Sequence, residues 1–248
     1  MIVGLFIPCY IDQFYPRAAR ATLELLESTG VEVVVPTDQT CCGQPLANSG
    51  YEPDAVAVME QLADTFAGVD HIVSPSGSCI HHIRHHYDIL EQSPAVRHLR
   101  EKSLELCQFL SRHPEMNLPP AHFPFRTGLH QSCHGQRGLR LASSSERMEP
   151  AWSVVGDLLK KVEGLELVSL NREDECCGFG GTFAVTEEAV SVRMGKDRVA
   201  DHLQNDVEVI TGTDLSCLMH LEGIIRRDGL PLRVLHVAEI LNTTGEQS

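Results

Sequence analysis

Eight cysteines of this 248-residue chain fall into two copies of one spacing. Cys41 and Cys42 are followed by Gly43, with Cys9 lying 32 positions before the pair and Cys79 lying 37 after it. Cys176 and Cys177 are followed by Gly178, with Cys133 lying 43 positions before and Cys217 lying 40 after. Only Cys107 stands outside the pattern. Neighbouring Cα atoms are about 3.8 Å apart, below the usual span of a disulfide, so a bridge within either pair is strained. Two thiolates about 4 Å apart repel by roughly 4 kcal/mol at an effective dielectric near 20. Four of them in one crevice therefore call for a cation.

Four thiolates complete a zinc site, and they equally hold an iron–sulfur cluster. Zinc ligands usually come in pairs two to four residues apart, so that one turn delivers both sulfurs. Here the paired cysteines have no spacer, and the other two arrive singly. Adjacent side chains diverge, which suits two irons of a cluster better than one small ion. The iron–sulfur reading is the better fit, and zinc stays open for one half. Gly43, Gly178, Gly180 and Gly181 follow the pairs, where the lack of a Cβ lets backbone N–H groups approach sulfur.

The elements that must bring these residues together alternate in type. "IVGLFIP" (2–8), "VEVVVP" (31–36) and "HIVSP" (71–75) read as strands. Helices are expected over 16–28, ending at Gly30, and from Pro53 to about Phe66, with another opening at Cys79. The second half repeats the scheme, with strands at 127–133, 165–170, 207–211 and 232–237. One of its helices carries Trp152, Val155, Leu159 and Val162, and another covers 187–202. Such alternation predicts an α/β fold of two repeated halves, each a mainly parallel sheet with helices on its faces. Every cysteine of the pattern follows a predicted strand, so each set of four converges on the ligand-binding edge of its sheet. "SRHPEMNLPPAHFPF" (111–125), with four prolines, reads as a linker between domains at 1–112 and 124–248. "LASSSERME" (141–149) is a polar surface insert that accounts for the longer first interval of the second half.

With both cysteine sets in view, the chain resembles the family of tandem cysteine-rich CCG domains. These occur in heterodisulfide reductase, in anaerobic glycerol-3-phosphate dehydrogenase and in the iron–sulfur subunit of glycolate oxidase. The nearest likeness is to the lactate utilization protein A family. "PCYIDQFYP" (8–16), "CCGQP" (41–45), "CCGFGGTF" (176–183) and "DLSCLMHLEGI" (214–224) carry it. The resemblance implies a cytoplasmic component of a system converting L-lactate to pyruvate, acting with an iron–sulfur protein and a small third subunit. It implies metal ligation by Cys9, Cys41, Cys42 and Cys79 and by Cys133, Cys176, Cys177 and Cys217, with a cluster of 4Fe–4S type in each half. The fuller CCG motif ends Cys-x-x-Cys, whereas Ser76 and Asp214 stand at that first position here. Each half therefore offers four thiols where the fuller motif has five. A glycolate oxidase subunit is the alternative within the same chemistry, and a zinc-stabilised scaffold the alternative outside it.

The remaining sequence narrows the partners. A net charge of −14 disfavours a phosphate-tracking nucleic-acid surface and an anionic membrane. "MIVGLFIPCY" has no basic leader and its apolar run stops at Pro8, so it reads as a first strand rather than a signal peptide. No run approaches the roughly 18 apolar residues of a membrane span. "GFGG" lacks the spacing of a dinucleotide fingerprint. The histidines of "HHIRHH" (81–86) read as a polar helix face, and His130, His134 and His220 flank cluster cysteines. Arg137 and Arg193 are read as ion-paired, Cys107 as an inert helical thiol and His236 as half-buried and satisfied.

Overall fold

The computed structural model describes residues 1–243, which form two compact units, Met1–Leu118 and Pro119 onward. The first unit runs β1 (Ile2–Leu5), α1 (Cys9–Phe14), α2 (Pro16–Ser28), β2 (Glu32–Val34), α3 (Gln44–Asn48), α4 (Glu52–Thr65), β3 (His71–Ser74), α5 (Gly77–His86), α6 (Pro94–Lys102), β4 (Ser103–Glu105) and α7 (Leu106–Arg112). The second runs β5 (Arg126–Leu129), α8 (Val154–Leu159), β6 (Glu166–Val168), α9 (Phe183–Thr186), α10 (Glu188–Gln204), β7 (Val209–Gly212), α11 (Leu215–Asp228), β8 (Arg233–His236) and α12 (Val237–Leu241).

Each unit holds a four-stranded sheet whose strands pair in parallel, in the orders β2-β1-β3-β4 and β6-β5-β7-β8. Val3 pairs with Val33 on one side and His71 on the other, and Thr127 pairs likewise with Leu167 and Val209. The α/β class and its repetition thus match the expectation. In both units the chain first winds to one side of its opening strand and then to the other. That reversal, between β1 and β3 and again between β5 and β7, opens a crevice beyond the carboxyl ends of the strands.

Local chemistry explains the boundaries. Pro16 opens α2 where its missing N–H costs nothing, and Gly30 takes the left-handed φ of +82° that turns the chain afterwards. Ala18, Ala21, Leu25 and Leu26 form the buried face of α2, and each leucine contributes about 2 kcal/mol by leaving water. Ser93 caps α6 ahead of Pro94, and a capping box of His236 and Glu239 starts α12.

Two expectations are corrected, and one strand stands outside them. Trp152 lies outside α8, because Ser153 is its N-cap and accepts from the Gly156 N–H; the indole is half exposed. β4 had no predicted counterpart: "SLE" is three residues long and buried throughout, too short to carry a period. His236 is fully buried rather than half-buried, and its Nδ1 accepts from the Ala238 N–H.

Candidate metal centres

Both cysteine sets converge as the topology requires. Cys9 is the first residue of α1, directly after β1; the Cys41–Cys42 pair lies in the loop beyond β2; Cys79 sits in the first turn of α5, after β3. Cys9 Sγ is 3.8 Å from Cys41 Sγ. Cys41 and Cys42 shift each other's ionisation and Cys79 acts likewise on Cys42, so the four sulfurs form one continuous group. In the second unit Cys133 follows β5, the Cys176–Cys177 pair follows β6, and Cys217 is in the first turn of α11. The same contacts run from Cys133 to Cys176 to Cys177 to Cys217. All nine cysteines are free thiols.

Charge is divided unevenly within each set. Hydrogen bonds from Cys42 and Cys9, with the Gly43 N–H behind them, hold the Cys41 thiol well below its ordinary range. Cys133 and Cys177 do the same for Cys176, helped by the Gly178 N–H. Cys9, Cys42, Cys133 and Cys177 are pushed up, first by the bonds they share with neighbouring sulfurs and then by burial. Cys41 and Cys176 are thus the thiols whose ionised form their neighbours favour. That donor set fits a thiolate-ligated metal group.

The loops are shaped to this task. Gly43 has φ +82° and Gly178 has φ +86°, in the left-handed region that favours glycine. A Cβ on Gly178 would lie 2.7 Å from both Met194 Cβ and the Ser191 carbonyl oxygen. The Gly178 N–H donates to Cys176 Sγ at 3.3 Å, and the Phe179 N–H to Cys177 Sγ at 3.5 Å. Gly180 and Gly181 lie further along, where their carbonyls accept from the N–H groups of Phe183 and Ala184. Tyr87 Oη donates to the Cys42 carbonyl at 2.9 Å, while Ser191 Oγ donates to the Gly178 carbonyl at 2.8 Å. Each loop is therefore pinned from a helix by a different hydroxyl.

The motif's absent cysteine has a structural replacement. Ser76 is the N-cap of α5 and accepts from the Cys79 N–H at 3.3 Å; Asp214 is the N-cap of α11. Both are buried.

Several flanking residues take sharper roles than their sequence suggested. His82 is buried, stacks on His86 with ring centroids 5.3 Å apart, and lowers the charge cost at Cys41. The expected polar helix face is thus partly buried, at His82, while His81 and His85 pair on its outer part, 4.7 Å apart. His82 and His220 each stand three residues after the fourth cysteine of their half, a repeated Cys-x-x-His visible in "CIHH" and "CLMH". Arg137 is ion-paired as expected, bidentately with Glu146 at 2.7 and 3.0 Å, and it also reaches Asp174 at 3.1 Å. Ser145 bonds Asp174 through both its N–H and its hydroxyl. The polar insert is thereby tied to the stretch that leads into Cys176. Arg193 pairs with Asp197. Cys107 is buried on α7, and burial followed by Glu105 keeps it protonated.

One ring nitrogen of His130 lies within 4.8 Å of the sulfurs of Cys177 and Cys217. Burial and then the Arg198 charge lower its pKa to about 3, which keeps the ring neutral. Arg198 and Asp201, fully buried and 3.2 Å apart, were not legible as site residues: on α10 they look like an ordinary i,i+3 pair.

None of the described helices is long and apolar enough to cross a membrane. The cysteine-rich CCG domain matches residues 3–84 and 127–222. Lactate utilization protein A from an Exiguobacterium species is 39% identical over 252 residues, covering 99% of each chain. The proteins of that name from Halalkalibacterium halodurans and Geobacillus thermodenitrificans are each 40% identical over 246 residues, covering 98% of this chain and 97% and 99% of theirs. With two copies of the domain and relatives alike from end to end, the chain belongs to the lactate utilization protein A family of tandem CCG proteins.

Proposed function

We propose that this chain is an electron-transfer subunit of a cytoplasmic system oxidising L-lactate to pyruvate, with an iron–sulfur centre of 4Fe–4S type in each half. The observation that carries this reading is the pair of four-sulfur chains at the switch points of the two sheets, each with one stabilised thiolate. The relatives' shared name supplies the substrate. Once bound, such a group supplies one-electron transfer. The protein's own part is to supply four thiolates in each half, direct the Gly178 and Phe179 N–H groups at sulfur, and hold the loops through Tyr87 and Ser191. Removal of the substrate hydrogen falls to a partner, and the system includes an iron–sulfur protein and a small third subunit.

Zinc in the second half is the competing reading, favoured by the clustering of His130, Cys177 and Cys217. Growth on L-lactate tests the proposal: Cys176→Ala abolishes it, and unaffected growth removes the second site from the function. Loss of growth on glycolate with lactate growth intact would instead assign the chain to glycolate oxidation.

A further inference from the structure

The two halves share their cysteines but differ in what lies behind them. Three residues before the first cysteine of each set stands Phe6 in one half and His130 in the other. Twenty-one residues after each pair stands Ala63 in one half and Arg198 in the other. The first half is apolar here, with Phe6 packed edge-on against Phe66 at 6.1 Å. The second half buries a cation, an anion and an imidazole in the same layer, at a desolvation cost that apolar packing avoids.

The hydrogen bonds of that layer determine where the imidazole proton sits. Arg198 Nε donates to His130 Nδ1 at 3.3 Å. Guanidinium is always protonated and has no acceptor, so Nδ1 must offer its lone pair, and the neutral ring carries its proton on Nε2. Arg198 has no freedom to turn away. It also bonds Asp201 at 3.2 Å and the Leu129 carbonyl at 3.4 Å. Asp201 in turn accepts from the N–H groups of Asn171 and Arg172, both at 3.1 Å. His130 Nε2 is buried and has no hydrogen-bond partner among the described residues. Ligation through Nε2 would move the ring proton to Nδ1 and set it against the Arg198 N–H.

We infer that Arg198 sets the tautomer of His130, so that the ring offers an Nε2–H to the second site rather than a ligand lone pair, and makes that site the more readily reduced of the two. A donor at sulfur stabilises the extra negative charge of the reduced state, and the first half has no counterpart at Phe6. The potential difference rests on the iron–sulfur reading above; the tautomer does not.

Two measurements separate these parts. Long-range ¹H–¹⁵N spectra of the full chain, kept reduced, will place the His130 proton on Nε2; a proton on Nδ1 overturns the inference. In anaerobically loaded protein, an electron-paramagnetic-resonance redox titration resolves the centres, assigned with Cys41→Ala and Cys176→Ala. His130→Phe, copying the first half, will weaken reduction of the second centre about tenfold, equal to about 59 mV for one electron, and leave the first unmoved. His130→Gln, whose Nε2–H can replace the ring's, will recover most of that shift. Equal movement of both centres, or of neither, overturns the inference. Loaded protein with zinc and no sulfide would refute the iron–sulfur reading and the potential ordering, while the tautomer result still stands or falls by the spectra.

Discussion

Ser76 and Asp214 are one position seen twice: each is the N-cap of the helix that delivers its half's fourth cysteine, three residues ahead of that sulfur. The position of a fifth thiol in the fuller motif is here occupied by an oxygen side chain. On the function proposed above, four sulfurs hold the metal group, and Ser76 acts on the helix as its N-cap. Ser76→Ala is expected to cost about 1 kcal/mol, the usual worth of an N-cap, in urea unfolding. It should leave the iron content of the first half intact; loss of that iron would make the Ser76 oxygen a ligand.

Gly178 joins backbone conformation to the second site. Alanine there meets a left-handed φ of +86° and two atoms at 2.7 Å, one of them backbone. Gly178→Ala should cost about 2–3 kcal/mol, combining backbone strain with overpacking, and should deplete second-site metal. Gly50→Ala is the control. Its φ is +83° but nothing lies within 4 Å of the added Cβ, so only about 1–2 kcal/mol is lost and metal content stays unchanged.

Tyr87→Phe removes the only described side-chain donor to the Cys42 carbonyl. A stability loss of about 1–2 kcal/mol is expected, measured by chemical denaturation. First-site metal should also be released faster to a chelator, since the loop carrying Cys41 and Cys42 is then held less firmly. An unchanged release rate would confine Tyr87 to a packing role.

His202 makes stability depend on pH. Burial, then the Arg198 charge, lowers its pKa to about 2, and both ring nitrogens are buried without a hydrogen-bond partner among the described residues. The unfolded ring titrates at about 6.5, so below that pH the unfolded state binds a proton that the native state refuses. The stability associated with His202 is full above about pH 6.5 and is lost as pH falls toward 2, by about 2 kcal/mol at pH 5. His202→Leu should flatten that slope in urea titrations at pH 7 and pH 5. An unaltered slope would mean that the ring is not buried as a neutral base.

Much of the frame could be read from the chain because its signals were local. α2 matches its expected span from Pro16 to Ser28, with proline at the start and glycine after the end. The doubled cysteine spacing located both crevices, because each cysteine is tied to the end of a strand. β4 escaped because three buried residues show no alternation. Arg198, Asp201, Tyr87 and Ser191 escaped for a different reason. Their partners are the Leu129, Cys42 and Gly178 carbonyls and the 171–172 amides, which become neighbours only when the helices pack on the sheet. The Cys-x-x-His repeat was there to be read, at His82 and His220, once the two halves are aligned on their fourth cysteines.

The most direct test of the account is metal and acid-labile sulfide analysis of the full-length protein, purified and reconstituted without oxygen. Iron and sulfide in equal amounts, with broad visible absorbance and about half of both lost in Cys176→Ala, are the predicted result. Colourless protein holding about one zinc per half and no sulfide would contradict it.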